Sequence, residues 1–424
     1  MTQDFKSAEY ASAALLIALG GILATPLAAG PLVLLALIAT IMMLARGRRN
    51  GMQRLGEQTV AGRNMLMMAF GGWFLAEFIS TAVNNQHWQN LDYPLRFLLA
   101  IGVFWIIRNS ALRRINFFIY AIAASAIAAG AMSYYQHYVQ GMDRVLGWTN
   151  IPIYFGNLSV LLCVFAVIVL AVMRQGMSKR MRGLLFFAIP LLVAAAFLSG
   201  SRSSWLGMLA LLVLVDWRRA NYVRLLGGGL IVATGLAVLF ALMPELTTRL
   251  RLAEATHDFQ RILDGNFASS IGYRLQMWWA ALMMFWSSPL IGIGSNEFQG
   301  AMANLMATGT IEPGLFRGET NFNQAHSEIM DVLATKGVVG LSAYIALLVL
   351  PYRFLGAISK SPVAEARAFA LMGQATLIAF LLYGLTLATF KVQIYCAVFP
   401  AAVAIFTAMA LNYADSGKAG DSHD

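Results

Sequence analysis

The sequence predicts an all-α protein that crosses a membrane many times, and three observations support this. Of its 424 residues, 59% are hydrophobic and only 12% are charged, and the mean hydropathy is +0.67. Both the composition and the hydropathy are typical of integral membrane proteins rather than of soluble domains. The third observation is a series of apolar runs that approach the length of a membrane span.

Twelve apolar runs are candidate transmembrane helices. In chain order they are Ala11–Ala28, Pro31–Ala45, Met65–Val83, Leu95–Ile107, Ile115–Met132, Ile151–Met173, Leu184–Leu198, Ser204–Val215, Leu225–Met243, Val338–Leu350, Ala368–Thr389 and Val392–Leu411. A span needs roughly 20 apolar residues to cross a ~30 Å hydrocarbon core. The short runs Leu95–Ile107 and Ser204–Val215 are therefore undecided by length, and a re-entrant hairpin over Leu184–Val215 is an alternative to two full spans.

The basic residues predict how these spans are oriented. One set of alternate connections holds 18 of them, against four in or beside the short connections of the other set, namely Arg96, Arg144, Arg202 and Lys391. Because Lys and Arg accumulate in short cytoplasmic loops, we expect both termini to be cytoplasmic. The predicted organisation is spans 1 to 9 in residues 1–243, one large outer loop with amphipathic interfacial helices in 244–325, spans 10 to 12 in 326–414 and a polar cytoplasmic tail in 415–424.

The net charge of +10 does not indicate nucleic-acid binding. Most of the excess charge lies in short loops of the cytoplasmic set, while residues 244–325 carry seven acidic and five basic residues. Domains that bind nucleic acid instead concentrate their basic residues on one face. The two cysteines, Cys163 and Cys396, both lie within apolar runs, so neither a disulfide framework nor a zinc site is indicated.

Aromatic residues dominate one part of the outer loop. The segment Leu275–Trp286 contains Trp278, Trp279, Phe285 and Trp286, a density typical of a helix at the membrane interface. Membrane anchoring accounts for these rings better than stacking on a sugar or a base does. Pro289, Gly292 and Gly294 then end the helix, and a polar segment at 321–328 leads into the next span.

Two arginines in the outer connections are candidates for binding an anion. No acidic residue lies near Arg202 in the sequence, and the nearest acidic neighbours of Arg274 are the distant Asp264 and Glu297. An arginine at a membrane surface can also bind lipid headgroup phosphate without any specific function. Function and nonspecific lipid binding are equally good explanations for each arginine taken alone.

His326 is the candidate base. If Asn323 is the N-cap of the following helix, His326 lies about three residues into the start of that helix. The helix dipole there lowers the pKa of an imidazole, and a neutral imidazole can accept a proton. A structural hydrogen bond is the commoner role of such a histidine. One base and two guanidiniums on the same side, however, suit attack on a diphosphate-activated substrate, because guanidiniums bind diphosphate oxygens bidentately.

Five further residues are secondary candidates for substrate binding: Tyr273, Glu328, Lys336, Arg317 and Glu77. Lys336 and Arg317 can help to neutralise an anionic donor, although Arg317 has acidic neighbours and fits a structural role better. Glu77 is a carboxylate within an apolar run, a functional candidate by default, and we expect Arg96 or Arg202 as its alternative partner. No Asp-x-Asp pair and no Gly-rich phosphate loop is present, so we expect no metal and no cofactor.

Several short motifs, in this order, resemble one known family. They are Ser199-Gly200-Ser201-Arg202-Ser203-Ser204-Trp205-Leu206-Gly207, then Tyr273-Arg274 with Trp278, then Pro289-Leu290-Ile291-Gly292-Ile293-Gly294, then Ala325-His326-Ser327-Glu328, then Gly337-Val338-Val339-Gly340-Leu341. Together they resemble the O-antigen ligase and polymerase superfamily, by motif over Leu184–Pro351 and by topology over the whole chain.

The resemblance implies a lipopolysaccharide O-antigen ligase with a GT-C-like architecture in the bacterial inner (cytoplasmic) membrane. Such an enzyme is an inverting, metal-independent glycosyltransferase with a periplasmic active site. It moves O-antigen from undecaprenyl diphosphate onto lipid A core, with membrane lipids around it. Carried over by motif, Arg202 and Arg274 hold the diphosphate, and His326 deprotonates or orients the acceptor hydroxyl.

Two alternatives stay open beside the ligase. An O-antigen polymerase or a protein O-oligosaccharyltransferase would use the same donor, and the sequence separates these from a ligase only by the moderate size of the outer loop. A transporter of lipid-linked sugars is less well supported, because transporters often show paired halves and several intramembrane ionisable residues. The sequence shows no convincing repeat and, by this interpretation, a single buried carboxylate.

Overall fold

The computed structural model describes residues 2–25, 29–49, 57–110, 114–173, 176–214, 267, 269–311 and 322–420. All regular secondary structure within these ranges is helical. Eight of the helices described are long and apolar enough to cross a membrane. The prediction of an all-α polytopic membrane protein is therefore confirmed, while the predicted span Leu225–Met243 lies outside the described residues.

Fourteen helices are numbered here in chain order. They are α1 (Thr2–Gly20), α2 (Gly30–Arg49), α3 (Glu57–Val83), α4 (Asp92–Arg108), α5 (Asn116–Tyr134), α6 (Pro152–Met173), α7 (Lys179–Leu198), α8 (Arg202–Leu206), α9 (Leu209–Leu214), α10 (Ser270–Ser287), α11 (Phe298–Ala307), α12 (Glu328–Ile358), α13 (Ala364–Tyr383) and α14 (Gln393–Gly420). A 3-10 turn at Trp88–Leu91 precedes α4, a π-helical turn at Tyr135–Val139 extends α5, and a 3-10 turn at Thr389–Lys391 precedes α14.

The two runs of undecided length differ in outcome. Leu95–Ile107 belongs to a continuous helical stretch of 21 residues, Trp88–Arg108, which is long enough to span. Ser204–Val215 instead includes the end of the short helix α8 and all of the short helix α9, which are separated at Gly207 and Met208. Val215 lies outside the described residues. The apolar parts of α1 and α2, Ser7–Gly20 and Gly30–Ala45, are shorter than the eight candidate spans.

Two helices, α6 and α14, form the centre of the bundle and are its most deeply buried spans. α14 packs against α4 and α13, and α6 packs against α7 and α13. An aromatic cluster lies near the start of α14, where the Phe390 ring centroid is 5.0 Å from that of Phe399 and 5.3 Å from that of Phe97. Edge-to-face contacts of this kind add to the stabilisation from burial, so this end of α14 is firmly packed.

Polar contacts at the far end of the bundle connect α3, α4 and α14. Arg108, the last residue of α4, donates to Asp415 at 2.6 Å and to Thr59 at 2.6 Å, and it also bonds Asn412. These residues lie at the opposite ends of α4 and α14 from Asp92 and Gln393. The bundle therefore has one end marked by Arg108 and another end, near Gln393, at which the candidate site lies.

A long helix, α12, is broken at Gly337. Gly337 has φ +62 and ψ −155, values that are not helical and that an L side chain rarely adopts. A Cβ at this position would also lie 2.5 Å from the backbone of Leu290 and 2.5 Å from the Pro289 carbonyl oxygen. Glycine is thus required both by the backbone conformation and by the space available.

The turn after α10 fills this break and satisfies the freed backbone groups. The N–H groups of Val338 and Val339 donate to the carbonyls of Pro289 (2.9 Å) and Leu290 (3.1 Å). In return, the N–H groups of Ile293 and Gly294 donate to the carbonyls of residues 334 and 335, both at 3.0 Å. An unsatisfied peptide group in a membrane costs several kcal/mol, so this exchange makes a broken helix tolerable inside the bundle.

Candidate active site

His326 lies in a tight segment just before α12. The helix begins at Glu328 with Ser327 as its N-cap, so the prediction that Asn323 is the N-cap and that His326 is helical is wrong. His326 instead has φ +48, in the left-handed region. For a residue other than glycine this conformation costs about 1–3 kcal/mol and persists only when its surroundings hold it.

The neighbours of His326 are bonded to other elements on both sides. The Ala325 N–H donates to a carboxylate oxygen of Asp331 at 3.1 Å, and the Glu328 N–H donates to the Gly384 carbonyl at 2.7 Å. The Ala388 N–H donates to the side-chain oxygen of Gln324 at 2.9 Å. The segment around His326, residues 323–327 (the His326 segment), is therefore held by hydrogen bonds to the connection between α13 and α14 and to α12 itself.

The imidazole of His326 is half-buried and electrostatically perturbed. Burial lowers its pKa below the ordinary value, and the positive charge of Arg274 lowers the pKa further. The negative charge of Asp331 and a hydrogen bond with the backbone of Thr386 raise the pKa, but the net direction is down. The direction agrees with the sequence prediction, whereas the causes are burial and Arg274 rather than a position inside the helix start.

Arg274 lies in the first turn of α10. The hydroxyl of Ser269 caps this helix by accepting from the Gly272 N–H at 3.1 Å. Trp279 and Trp286 on α10 are 55% and 74% exposed, as expected for a helix at the membrane interface. Arg274 itself is half-buried, and burial followed by the positive charge of Arg202 lowers its pKa. The ordinary pKa of a guanidinium is so high that Arg274 remains protonated at neutral pH.

Arg202 is the first residue of α8, and its side chain is exposed. The chain turns into α8 at Gly200, which has φ +61. Two residues after Arg202, the Ser204 hydroxyl donates to the side-chain oxygen of Asn157 at 2.9 Å. The Asn157 amide in turn donates to the Tyr395 hydroxyl at 2.8 Å. This buried network attaches α8 to α6 and α14, so Arg202 is carried by a well-supported helix.

Arg202, Arg274 and His326 come from three distant parts of the chain but act on one another. The charge of Arg202 perturbs Arg274, and the charge of Arg274 perturbs His326. The elements that carry them are α8, α10 and the segment before α12. The structure places Arg202 near enough to act on Arg274, and Arg274 near enough to act on His326, while their grouping as one site stays a prediction. Their chemical roles stay predictions.

Glu77 and Lys336 pair with each other rather than with the predicted partners. The Lys336 ammonium lies 3.1 Å from a Glu77 carboxylate oxygen, and the other Glu77 oxygen accepts from the Ser295 hydroxyl. Arg96, one expected partner of Glu77, pairs with Asp92 at 2.8 Å. The Lys336–Glu77 pair lies beside the break in α12 and is buried, so its contacts support a structural role.

The remaining candidates are placed as follows. Glu328 is buried, and its carboxylate accepts from the Thr389 hydroxyl at 2.9 Å and from the Phe390 N–H at 3.0 Å. Tyr273, next to Arg274, is half-buried against the side chains that pack α10 onto α11. Arg317 lies outside the described residues. Within the described part of the chain, no group of three or more His, Cys, Asp or Glu side chains is arranged to hold a metal ion.

The sequence analysis missed two residues near His326, namely Asp331 and Lys391. Asp331 is 1% exposed, and the Lys391 ammonium lies 3.0 Å from its carboxylate. In the polar half of α12, residues 328–337, only Glu328 and Lys336 were considered as candidates, and Lys391 was counted only as a charge in an outer loop. An acidic residue on the helix that follows His326 was the available signal.

Residues 187–345 match the family model described as O-antigen ligase. Over these residues the chain is similar to the O-antigen ligase family. The predicted resemblance to the O-antigen ligase and polymerase superfamily is confirmed, and the matched region contains Arg202, Arg274 and His326. The O-antigen ligase family match supports a glycosyltransferase-like ligase or polymerase role.

One curated relative extends the similarity beyond that region. A protein of Haemophilus influenzae (strain Rd), described as uncharacterized, is 24% identical over 297 residues. The aligned region covers 68% of this chain and 71% of that protein. This similarity assigns no activity. The proposed function therefore rests on the family match of residues 187–345.

Proposed function

We propose that the protein is an inverting, metal-independent glycosyltransferase of lipopolysaccharide biosynthesis. It transfers O-antigen from undecaprenyl diphosphate onto the lipid A core oligosaccharide. The observation that carries the proposal is the match of residues 187–345 to the O-antigen ligase family model, a region in which Arg202 lies near enough to lower the pKa of Arg274 and Arg274 near enough to lower that of His326. Two cations beside one perturbed base fit a reaction in which a diphosphate leaves as a hydroxyl attacks.

The two guanidiniums suit the diphosphate of the donor. A bidentate guanidinium–phosphate contact binds the ground state, and the same contact strengthens as negative charge develops on the departing diphosphate. The positive charge of Arg202 disfavours the protonated form of Arg274. A bound dianion removes the repulsion, so the pair favours an anionic ligand more than either arginine would alone.

His326 suits the role of general base. Interaction with the backbone of Thr386 raises the pKa of His326, as a ring N–H directed at a carbonyl does. A ring nitrogen that donates to that carbonyl would leave the other nitrogen available to accept a proton. The acceptor hydroxyl loses its proton to this nitrogen while its oxygen bonds to the anomeric carbon. The bond from that carbon to the diphosphate breaks, and the electron pair leaves with the diphosphate.

The proposed location is the bacterial inner membrane, with both termini cytoplasmic and the site on the periplasmic side. The distribution of basic residues supports this orientation. In the bundle, the His326 segment lies at the end opposite to Arg108 and Asp415. No nucleotide is needed in the periplasm, since the diphosphate linkage already activates the sugar.

Two alternatives remain, and one of them gains support from the structure. An O-antigen polymerase or a protein O-oligosaccharyltransferase would bind the same donor and differ in its acceptor. A transporter of lipid-linked sugars was disfavoured because only one buried carboxylate was predicted, yet Glu77, Glu328 and Asp331 are all buried and α12 is broken. Each of these carboxylates has protein partners, so the transferase proposal is retained.

An assay of the purified protein separates these functions. The protein in vesicles receives undecaprenyl diphosphate-linked glycan, lipid A core and an excess of chelator, and the products are resolved by mass. Transfer onto lipid A core supports the ligase. Elongation of the donor glycan selects the polymerase, and movement of the donor across the vesicle without a new bond selects the transporter.

A further inference from the structure

One ion pair organises the segment around His326, and the proposed mechanism does not use it. The Lys391 ammonium lies 3.0 Å from each oxygen of the Asp331 carboxylate. The same ammonium donates to the Asn323 carbonyl at 2.9 Å, and the carboxylate accepts from the Ala325 N–H at 3.1 Å. The pair therefore holds two backbone groups on the N-terminal side of His326.

These contacts help to hold His326 in its strained backbone conformation. Its left-handed φ of +48 needs support from both sides. On the C-terminal side, the Glu328 N–H is bonded to the Gly384 carbonyl at 2.7 Å. On the N-terminal side Asp331, which is 1% exposed, and Lys391 bond the Ala325 N–H and the Asn323 carbonyl, and the Ala388 N–H donates to the Gln324 side chain.

We propose that Asp331 and Lys391 are positioning residues that hold His326 in its left-handed conformation and balance the charge around its imidazole. The catalytic consequence rests on the proposed function, whereas the positioning itself does not. Lys391 lies on the 3-10 turn before α14 and Asp331 lies on α12, so the pair also joins two elements across the site. Lys391 additionally lies 5.6 Å from the Phe298 ring centroid on α11.

Charged groups act on His326 from several sides. Arg274 on α10 lowers its pKa, and Asp331 on α12 raises it. Lys391, on the 3-10 turn, neutralises Asp331 at 3.0 Å. The Glu328 carboxylate, on the same helix as Asp331, is held by Thr389 and Phe390. Removing one member of the pair leaves the other uncompensated beside the imidazole.

The two halves of the pair therefore predict opposite shifts. Asp331→Asn retains an acceptor for the Ala325 N–H but removes the negative charge, so the His326 pKa falls. Lys391→Met leaves the Asp331 carboxylate uncompensated, so the His326 pKa rises. A purely structural role predicts no such opposition, because a loosened segment would expose the imidazole in both variants and move its pKa toward about 6.5.

The pKa is measured on the full-length protein in detergent by the rate of acylation with diethyl pyrocarbonate, which reacts with neutral imidazole. Mass analysis of peptides separates His326 from the other four of the five histidines. Asp92→Asn serves as control, because it breaks the Asp92–Arg96 pair without contacting the His326 segment. Opposite shifts of about 0.5–1 unit in the two variants, with the control unmoved, support the proposal. Shifts in the same direction, or none, overturn it.

The test can still be made if Asp331→Asn, which changes a buried residue, does not fold. The Lys391 side chain is 24% exposed and can be changed alone. Lys391→Gln keeps a hydrogen-bond donor for the Asn323 carbonyl but removes the charge, so a raised His326 pKa supports the proposal and an unchanged one overturns it without Asp331→Asn. In the transfer assay, Asp331→Asn is expected to lower kcat about 10- to 100-fold with the donor KM within about twofold. If the wild-type protein transfers no glycan, the proposed function fails while the acylation rates still decide the positioning.

Discussion

The Lys336 ammonium lies 3.1 Å from a Glu77 carboxylate oxygen, and both side chains are nearly inaccessible, at 5% and 6% exposure. Lys336 is also 5.4 Å from the centroid of the Trp73 ring. The pair joins α3 to α12 at the residue before the break at Gly337. A charge buried in this way is costly unless its partner stays in place.

Breaking the Lys336–Glu77 pair is expected to destabilise the protein. Glu77→Gln or Lys336→Met each leaves one buried charge without its counterion, which costs about 3–5 kcal/mol. The double variant is expected to recover much of that loss. Thermal unfolding in detergent measures all three, and a Lys336→Met variant that loses donor affinity at unchanged stability would instead place Lys336 in the donor site.

Glycine at position 337 is expected to be indispensable for folding. In Gly337→Ala, the new Cβ would lie 2.5 Å from the backbone of Leu290, in a backbone conformation that L residues rarely adopt. The backbone hydrogen bonds between the break in α12 and the turn after α10 are then lost, and the yield of folded protein falls. Gly71→Ala on α3 is the matched control, because nothing lies within 4 Å of the added atom. Equal yields of the two variants in size-exclusion chromatography would refute the requirement for glycine at position 337.

Replacement of Arg202 or Arg274 is expected to weaken binding of undecaprenyl diphosphate itself. Each hydrogen bond between charged groups is worth about 1.5–3 kcal/mol, so an alanine variant should raise Kd by about 10- to 100-fold. Lysine variants restore the charge without the bidentate geometry and should recover only part of the affinity. Binding to the purified protein is followed by tryptophan fluorescence, and unchanged affinity in both alanine variants would assign the arginines to structural roles.

The rate of transfer is expected to stay high in mildly acidic solution. The base must be neutral, and burial together with Arg274 lowers the pKa of His326 below its ordinary value. The rate should therefore rise with pH through an inflection below about 6.5, the ordinary value for histidine. Because Arg274 contributes to the depression, Arg274→Gln should move the inflection upward. An inflection at or above 6.5 in the wild-type protein would contradict the assignment.

Much of the helical framework could be predicted from the sequence, because each apolar run must satisfy its backbone within a helix. The runs that became α6, α13 and α14 are examples. The region around Ser204–Val215 was less predictable, since its division into α8 and α9 depends on contacts with neighbouring helices. In the same way, the burial of Lys336 and Asp331 on α12 could not be predicted, because their partners Glu77 and Lys391 lie far away in the sequence.

The grouping of Arg202, Arg274 and His326 follows from the sequence and stays a prediction as a site, whereas the local geometry around His326 could not be predicted. Arg202, Arg274 and His326 were singled out by motif order and by the spacing of charges along the chain. The N-cap assignment failed because Asn323 was judged from local sequence, whereas the segment is held by Asp331, Gly384 and Lys391. Interactions between residues far apart in the chain leave no trace in local capping patterns.

The most direct test of the account compares wild-type protein with His326→Ala on one preparation, in vesicles with undecaprenyl diphosphate-linked glycan, lipid A core and chelator. Transfer is expected to fall by about 100- to 10,000-fold, while the protein stays folded and its Kd for the donor changes by less than about twofold. Transfer by His326→Ala at a rate close to that of the wild-type protein would contradict the account.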